Sequence, residues 1–198
     1  MGSTDDRFAC AIEAFDAYHR EDPNAEIKDG IPFPSELIYV QRLTGRLNQF
    51  APDASEAVKL AARCQHIGRW EIPRTKYPQD KKGYLQWRNE EKMRHAHIAE
   101  EILRRCGYDK ETIEKVKLLL LKKELHSNAD TQLLEDVVCM VFLEFYLDDF
   151  SKKHTEEKVV DILRKTIKKM SAHGKKGVDA LNLSANTRAL VQRAEALG

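Results

Sequence analysis

One stretch of nineteen residues constrains the fold more than any other, Gln132–Phe150, with the sequence QLLEDVVCMVFLEFYLDDF. Between Val137 and Phe145 its only polar side chain is Glu144, so a helix formed here is apolar on every side. Such a helix belongs inside a bundle rather than on its surface. The sequence therefore predicts a buried central helix over residues 130–150.

The central helix also carries acidic side chains, and their burial has to be compensated. Asp136 and Glu144 lie on one helical stripe about two turns apart. A buried carboxylate is costly unless a cation, a metal ion or a hydrogen-bond donor meets it. We therefore expect basic groups from neighbouring elements to face this helix. The candidates are five arginines, Arg42, Arg63, Arg69, Arg74 and Arg88.

The rest of the chain has a helical period of apolar residues, and strand-like alternation is nearly absent. The sequence predicts an all-α fold, a single-domain bundle of about seven to eight helices over residues 1–183 with a helical tail over 184–198. Local signals add finer expectations. They are a loop over 22–34, a third helix that Asp53 caps and that runs to Trp70, and a glycine-containing bend over 173–177.

Composition excludes some classes of function. The chain has 33 basic and 32 acidic side chains, a net charge of +1, so it has no general attraction to nucleic acid or to an anionic membrane. No apolar run approaches the length of a membrane span. The four cysteines are far apart, and we interpret them as reduced packing residues. A soluble, cytoplasmic protein is the expectation.

The arginines have two explanations that the sequence leaves open. In the first, they only neutralise the acids of the central helix. In the second, the surplus positive charge binds a small anion such as a phosphoryl group, which arginine can grip in a planar, bidentate geometry. Aromatic residues beside them offer a stacking surface for a ring. The predicted substrate-binding residues are Arg63, Arg69, Arg74, Tyr77, Tyr84, Trp87 and Arg88.

Two histidines suggest a metal site. His66, His95 and Asp136 come from three predicted helices and offer two nitrogens and one oxygen to a divalent ion, with positions left for water. Such an ion, Mn, Zn, Ni or Fe, lowers the pKa of bound water towards neutrality and supplies hydroxide to a phosphorus or carbonyl centre. The alternative is that each imidazole is hydrogen-bonded to a neighbour.

A set of motifs in fixed order resembles a known family. The motifs are AARCQHIGRWEIPRTKYP, GYLQWR, His95, LEDVVCMVFLE and KTIKKMS, over about residues 22–183. They resemble an uncharacterised domain-of-unknown-function family, number 4202, of small helical proteins, some of which are labelled glutamyl-tRNA synthetase. The chain lacks the α/β pattern and the nucleotide-binding motifs that such a synthetase requires. The resemblance implies a fold but little about activity.

The same pattern is distantly similar to the HD-type helical metal phosphohydrolases. In the QHIG motif, Gln65 stands where that family has histidine, and His66 stands where it has aspartate. The late acid of the family matches Asp136. The early histidine has no match, because Arg42 and Thr44 occupy that segment. His95 is the residue that would compensate as a ligand.

Two main function classes follow. The first is an HD-like, metal-dependent hydrolase of a small phosphorylated or nucleotide-type substrate, in which Glu135 or Glu144 orients water or acts as the base. The second is a non-catalytic module that binds an anion, a nucleotide or a protein partner through a degenerate site. A scaffold that binds no small molecule is a third. A homodimer through residues 185–197 is compatible with each.

Overall fold

Ten α-helices make up most of the part of the chain that the computed structural model describes, residues 4–28 and 30–197. The fold is all-α, as predicted. Within these residues no helix is long and apolar enough to cross a membrane. The predicted domain and tail, residues 1–183 and 184–198, also include residues 1–3 and 198, which lie outside the described part. The helices are α1 Thr4–His19, α2 Ser35–Phe50, α3 Glu56–Arg63, α4 Lys81–Arg105, α5 Lys110–Leu120, α6 Ala129–Val141, α7 Leu147–Ser151, α8 Glu156–Lys169, α9 Ala172–Val178 and α10 Ala185–Ala196.

The segment predicted as a loop over 22–34 contains a short β-hairpin. Strands β1 (Ala25–Lys28) and β2 (Ile31–Pro34) pair antiparallel, with Ile27 opposite Pro32. Gly30 has a φ of 79°, which a glycine adopts without steric cost in a tight turn. The prediction failed because proline-rich segments can still form two short edge strands, where a missing N–H can face outwards.

The chain divides into two compact units. Unit 1 comprises Met1–Gly45 and Asp53–Lys123, and unit 2 comprises Arg46–Pro52 and Glu124–Gly198. Each unit has its own buried apolar residues, so each is described by itself below.

In unit 1, α1 packs on α3 and α4, and α5 packs on the same two helices. Helix α3 differs from the prediction at both ends. Its N-cap is Ser55, whose side chain accepts from the Val58 N–H, and not Asp53. It ends at Arg63 rather than at Trp70, because His66 and Gly68 both adopt positive φ angles, 61° and 73°, that a helix cannot contain. These residues form a turn that leads to α4.

A disulfide bond between Cys10 and Cys106 joins α1 to the end of α4 in unit 1. The Cα atoms of the two residues are 5.8 Å apart, although 96 positions separate them in the sequence. The interpretation of all four cysteines as reduced is therefore wrong for this pair. Wide sequence spacing hid the bond, since spacing alone does not show which cysteines a fold brings together. Cys64 and Cys139 are buried free thiols, as expected.

Unit 2 is built around the predicted central helix. Helix α6, a π-helical turn over Phe142–Tyr146 and α7 follow one another without a break. The buried members of this stretch include Met140, Leu143 and Leu147, which pack with Leu163 of α8. A π-turn inserts one extra residue per turn and is found often at functional sites. The prediction of a buried helix over 130–150 is confirmed.

The last two helices complete unit 2. Helix α9 occupies the segment predicted as a bend, with Ser171 as its N-cap. Helix α10, predicted as a tail, packs against α8 and α7, and its Leu190 and Val191 are buried. The apolar face of α10 is therefore covered within its own chain.

Candidate functional site

The structure brings His66 and His95 together in unit 1. Their ring centroids lie 5.8 Å apart. His95 comes from the middle of α4, while His66 lies in the turn after α3. The prediction that these two imidazoles share one neighbourhood therefore agrees with the structure.

His66 is held in an unusual backbone conformation. Its φ of 61° lies in the left-handed region, which costs a residue other than glycine roughly 1 kcal/mol. The imidazole stacks on the Tyr39 ring, with centroids 4.7 Å apart and planes within 10°. Backbone strain of this kind clusters at ligand and active sites, where the surrounding packing maintains it.

The protonation of His95 is set by its hydrogen bond. Its Nδ1 donates to the carbonyl oxygen of Ile67 over 2.7 Å, since a carbonyl can only accept. The other nitrogen, Nε2, lies 3.3 Å from Oε2 of Glu91, one turn earlier on α4. In neutral His95 that nitrogen carries a lone pair. Two acceptors thus face each other, and only a proton or another cation between them removes the repulsion.

Glu91 is a buried carboxyl group with few compensating contacts. The residue is 5% exposed, and neither of its oxygens has a hydrogen-bond partner among the described residues. Burial raises the pKa of Glu91 to about 7, and the positive charge of Arg69 opposes that shift. Burial, and then the nearby His66, lowers the pKa of His95 to about 3. At neutral pH the Glu91 carboxyl group is therefore protonated in about half of the molecules, while the His95 imidazole is neutral.

A second acid–imidazole pair lies beside the first. Nδ1 of His66 is 3.5 Å from Oε2 of Glu36, and Nη1 of Arg69 is 3.0 Å from the same nitrogen. Burial raises the pKa of Glu36, while burial and Arg69 hold the pKa of His66 well below its usual value. We call Glu36, His66, Arg69, Glu91 and His95 the histidine–carboxylate cluster.

Arg69 is the member of the cluster that reaches solvent. Its side chain is 37% exposed, and its guanidinium lies over the Trp87 ring, 5.2 Å from the centroid. Its Nε is 4.0 Å from Glu36, a loose contact that leaves donors for another acceptor. A hydrogen bond holds the Trp87 ring in place, because its Nε1 donates to the carbonyl of Ile72 over 2.8 Å. A cation on a rigid aromatic surface therefore lies beside the buried acids.

The other predicted substrate-binding residues on α4 form an outer surface. The Arg88 guanidinium lies over the Tyr84 ring at 5.8 Å, and Tyr84 contacts Trp87 with centroids 6.0 Å apart. Tyr77 donates to Glu90 over 2.5 Å, and that bond raises the pKa of Tyr77 to about 12. Arg88 and Tyr84 thus accompany Arg69 and Trp87, while the hydroxyl of Tyr77 is already engaged.

Three arginines proposed for anion binding have structural partners instead. Arg63 forms a bidentate pair with Asp16, with two bonds of 2.6 Å. Arg74 donates to the carbonyl groups of Tyr77 and Asp80 and so fixes the loop before α4. Arg42 pairs with Glu26 at 2.5 Å. These contacts are structural, but none of these partners is an acid of the central helix, so the expectation that these three arginines neutralise that helix is wrong.

The third predicted metal ligand, Asp136, belongs to unit 2 and has its own partners there. The residue is 2% exposed. Its Oδ1 accepts from the Ser171 N–H at 2.8 Å and from Gln132 at 3.0 Å, and its Oδ2 accepts from the Ser171 hydroxyl at 2.5 Å. Because Ser171 is the N-cap of α9, Asp136 fixes the start of that helix.

The two predicted catalytic acids also lie in unit 2. Glu135 is 3.7 Å from Nζ of Lys169. Glu144, in the π-turn, forms an ion pair with Arg46 and accepts from the Asn182 N–H at 3.4 Å. Basic groups thus meet both acids, as expected, although neither is one of the five arginines named from the sequence. A catalytic role for either acid stays a prediction.

Sequence reasoning missed Glu36 and Glu91 as site residues. The signal for Glu91 was present, because Glu91 and His95 are spaced i, i+4 and face the same side of α4. Glu36 had no comparable signal, since it appeared only as the first acid of α2. Among residues 4–28 and 30–197, no three histidine, cysteine or acidic side chains are grouped closely enough to hold a metal ion.

Comparison with protein families places the chain once this geometry is known. Residues 9–191 match the model of a domain of unknown function, DUF4202. The chain belongs to this family. No curated protein and no solved structure matches it. The matched range contains all members of the histidine–carboxylate cluster and the central helix. The comparisons do not show the distant similarity to HD-type phosphohydrolases.

Proposed function

We propose that the protein is a hydrolase of a small phosphorylated anion, and that the histidine–carboxylate cluster of unit 1 is its acid–base site. The observation that carries the proposal is the buried contact between His95 and Glu91. Asp136, a structural carboxylate, accepts a hydrogen bond from the Ser171 N–H. The nitrogen that faces Glu91, by contrast, is the lone-pair nitrogen of the His95 imidazole. That arrangement stores one transferable proton away from water.

The proton of Glu91 suits catalysis near neutral pH. A general acid or base works best when its pKa is close to the working pH, and the pKa of Glu91 is about 7. His95 acts as a positioning residue, because its bond to the Ile67 carbonyl fixes which nitrogen faces the acid. We assign to Glu91 the transfer of a proton to or from the substrate or its attacking water.

Arg69 supplies the contact with the anion. It is the exposed cation of the cluster and retains unused donors, and Arg88 lies next to it on α4. The aromatic faces of Tyr84 and Trp87 support a ring if the substrate carries one. A phosphoryl group held by Arg69 would lie beside His66, whose ring is partly exposed.

The test uses three variants and two assays. Phosphate release is measured from a panel of sugar phosphates, nucleoside phosphates and pyrophosphate, and binding of phosphate and pyrophosphate is measured by calorimetry. Glu91→Gln is expected to lower kcat by roughly a hundredfold or more while binding persists. Arg69→Gln is expected to weaken binding. Arg74→Gln is the matched control, because Arg74 contacts only backbone carbonyls of its own loop.

Two results would contradict the proposal. One is turnover that Glu91→Gln leaves unchanged. The other is anion binding that depends on Arg74 and not on Arg69.

A metal-dependent form of this chemistry is the second candidate. His95 Nε2 and Glu91 Oε2 are 3.3 Å apart. Two ligand atoms that each lie about 2.0–2.2 Å from one metal ion have a similar separation. Histidines that bind metal commonly donate their other N–H to a carbonyl, as His95 does to Ile67. The proposed ions are Mn, Zn, Ni or Fe. In this form His95 and Glu91 are the first ligands to test, and His66 would have to move to complete a three-ligand site, since no such group of three is present among the described residues.

Metal analysis separates the two candidates. Protein purified without chelator is analysed for metals, and its melting temperature is measured with each ion. The metal form predicts stabilisation by one ion, lost in His95→Gln and retained in Asp136→Asn, if the ligands lie in unit 1. Retention in His95→Gln would contradict both the ligands in unit 1 and the ligand set predicted from the sequence, because both sets contain His95.

A non-catalytic binding module is the alternative in another class. The low exposure of Glu91 favours it, because a substrate reaches that carboxyl group only if neighbouring side chains move. The module predicts that phosphate or pyrophosphate binds with uptake of a proton and that no ester or anhydride in the panel is hydrolysed. Calorimetry in buffers of different ionisation enthalpy measures this proton uptake directly.

Partners and location complete the proposal. We infer a small, phosphate-containing anion as the ligand, with no specific nucleic-acid partner. A homodimer through residues 185–197 stays a prediction, against which the burial of Leu190 and Val191 within the chain counts, and sedimentation of the full chain tests it. We also propose a cytoplasmic location, and cell fractionation tests it; in that compartment the Cys10–Cys106 disulfide would be a transient bond.

A further inference from the structure

We propose that the Cys10–Cys106 disulfide is a reversible redox control of the histidine–carboxylate cluster. This inference rests on the proposed function, since it concerns the regulation of the same site. In a reducing compartment, disulfides are usually transient and sense or transmit redox state. The bond, its exposure and the contacts of the helix that it tethers all point to such a role.

The bond is accessible and encloses the site. Cys10 is exposed on α1, and Cys106 is half-buried at the C-cap of α4. The segment between them contains every member of the histidine–carboxylate cluster, from Glu36 to His95. Exposed disulfides are the ones that small thiols reduce most readily. Opening this bond therefore releases the covalent loop in which the whole cluster lies.

Helix α1 connects the bond to the cluster. From its last turns, Asp16 holds the Arg63 guanidinium, His19 bonds to the Arg63 carbonyl at 3.1 Å, and Tyr18 donates to Glu71 at 2.6 Å. Arg63 and Glu71 bracket the turn that carries His66 and Arg69 in the sequence. Greater motion of α1 therefore weakens the contacts at both ends of the turn that contains His66 and Arg69.

The redox step is an ordinary thiol–disulfide exchange. The thiolate of a low-molecular-weight thiol attacks Sγ of Cys10, a mixed disulfide forms, and Cys106 leaves as a thiolate that takes up a proton. A second small thiol then attacks the mixed disulfide and releases the thiol of Cys10. In total, two small thiols are oxidised to one disulfide and the protein disulfide is reduced to two thiols.

The experiment compares oxidised and reduced full-length protein. Thiol alkylation and mass spectrometry first establish that the oxidised form has two free thiols and the reduced form four. Amide hydrogen exchange in residues 10–20 and 63–71 is then measured, together with calorimetric binding of phosphate and pyrophosphate. We expect faster exchange in both segments and at least roughly fivefold weaker binding after reduction.

Variants separate the switch from a general effect of reductant. Cys10→Ser is expected to behave like the reduced protein under all conditions and to lose its response to dithiothreitol. Cys139→Ala, which removes a buried free thiol in unit 2, should keep the full response. Re-oxidation with a glutathione redox couple should restore the oxidised behaviour in wild-type protein.

Each remaining outcome has one meaning. Equal exchange and equal binding in the two redox forms would overturn the switch and leave the proposed function standing. Four free thiols after treatment with oxidised glutathione would also overturn it. If neither form binds phosphate or pyrophosphate, the proposed function fails. In that case the switch stands only if exchange in residues 63–71 still changes with reduction.

Discussion

The two units treat a buried carboxylate in opposite ways. In unit 2, Asp136 accepts three hydrogen bonds, from the Ser171 N–H, the Ser171 hydroxyl and Gln132. In unit 1, neither oxygen of Glu91 has a hydrogen bond of normal geometry among the described residues, and the lone-pair nitrogen of His95 lies 3.3 Å from Oε2. Both residues are at most 5% exposed. Burial is therefore similar, and the supply of donors differs.

The difference separates a structural acid from a reactive one. Donors stabilise the charged form of a carboxylate, so Asp136 can serve as a fixed point for α9. Burial penalises the charged form of Glu91, and its pKa rises to about 7. Perturbed carboxyl groups of this kind are candidates for functional sites. Under the proposed function, Asp136 stabilises unit 2 and Glu91 transfers a proton.

The largest expected effect is that of Asp136→Ala. The substitution leaves the Ser171 N–H and one amide donor of Gln132 without their acceptor and removes the fixed point of α9. We expect a loss of about 3 to 5 kcal/mol in the free energy of unfolding of unit 2. Urea denaturation combined with hydrogen exchange in α6 and α9 measures it, because the two units need not unfold together.

A change below about 1 kcal/mol would break the comparison, because Asp136 would then not be a structural acid. Glu195→Ala is a suitable control. That acid is exposed, in the last turn of α10, and its removal should change stability little.

Gly174→Ala tests the same contact from the other side. A Cβ atom at Gly174 would lie 2.6 Å from Oδ1 and 2.7 Å from Oδ2 of Asp136, too close for any side chain. We expect a loss of about 2 to 3 kcal/mol and faster exchange in α9. Gly45→Ala in α2 is the matched control, since a Cβ there meets nothing within 4 Å and should stabilise by about 0.5 to 1 kcal/mol.

These glycines also show why parts of the fold escaped sequence reasoning. The apolar run over 132–150 decided the central helix, because no other arrangement buries it on all sides. Helix α9 was missed because Gly174 and Gly177 have low helix propensity. Tertiary contacts override that propensity, since both glycines lie where Asp136, Met140 or Phe50 leaves no room for a side chain.

The candidate site was predictable only in part. The residue types of His66 and His95 drew attention to them, and the structure places them together. Glu91 was visible on the same face but was passed over for acids of the central helix, because sequence shows which residues share a helix face and not which helices share a unit. The Cys10–Cys106 bond required the approach of α1 to the end of α4, which no local pattern encodes.

The third effect, that of Glu91→Gln, should have the opposite sign to Asp136→Ala. The pKa of Glu91 is about 7 in the folded protein, against an ordinary value of 4.5. Between these values the folded protein holds a proton that the unfolded chain has lost, so the stability of the wild type falls as pH rises through this window. Glutamine cannot ionise, and its amide can donate to His95.

We therefore expect Glu91→Gln to match the wild type near pH 4.5 and to exceed it by about 2 kcal/mol at pH 7 and above. The gain is smaller than the full shift implies, because water and Arg69 screen the charge. Urea titrations of both proteins at several pH values measure the difference. A difference that does not vary with pH would show that Glu91 is ionised throughout, as a structural acid is.

The smallest effect is expected for Gln132→Met, which removes one of the three donors to Asp136 and keeps the length of the side chain. The Nε2 of Gln132 also donates to the Lys169 carbonyl at 2.9 Å, so the substitution removes the hydrogen bond to that carbonyl as well. We expect a loss of about 1 kcal/mol, because the two bonds from Ser171 remain. Urea denaturation of both proteins at pH 7 measures it. A loss of about 3 kcal/mol or more would instead show that the two bonds from Ser171 do not suffice to compensate the burial of Asp136. The contrast with Glu91 would then be a matter of degree, set by how many donors each acid receives.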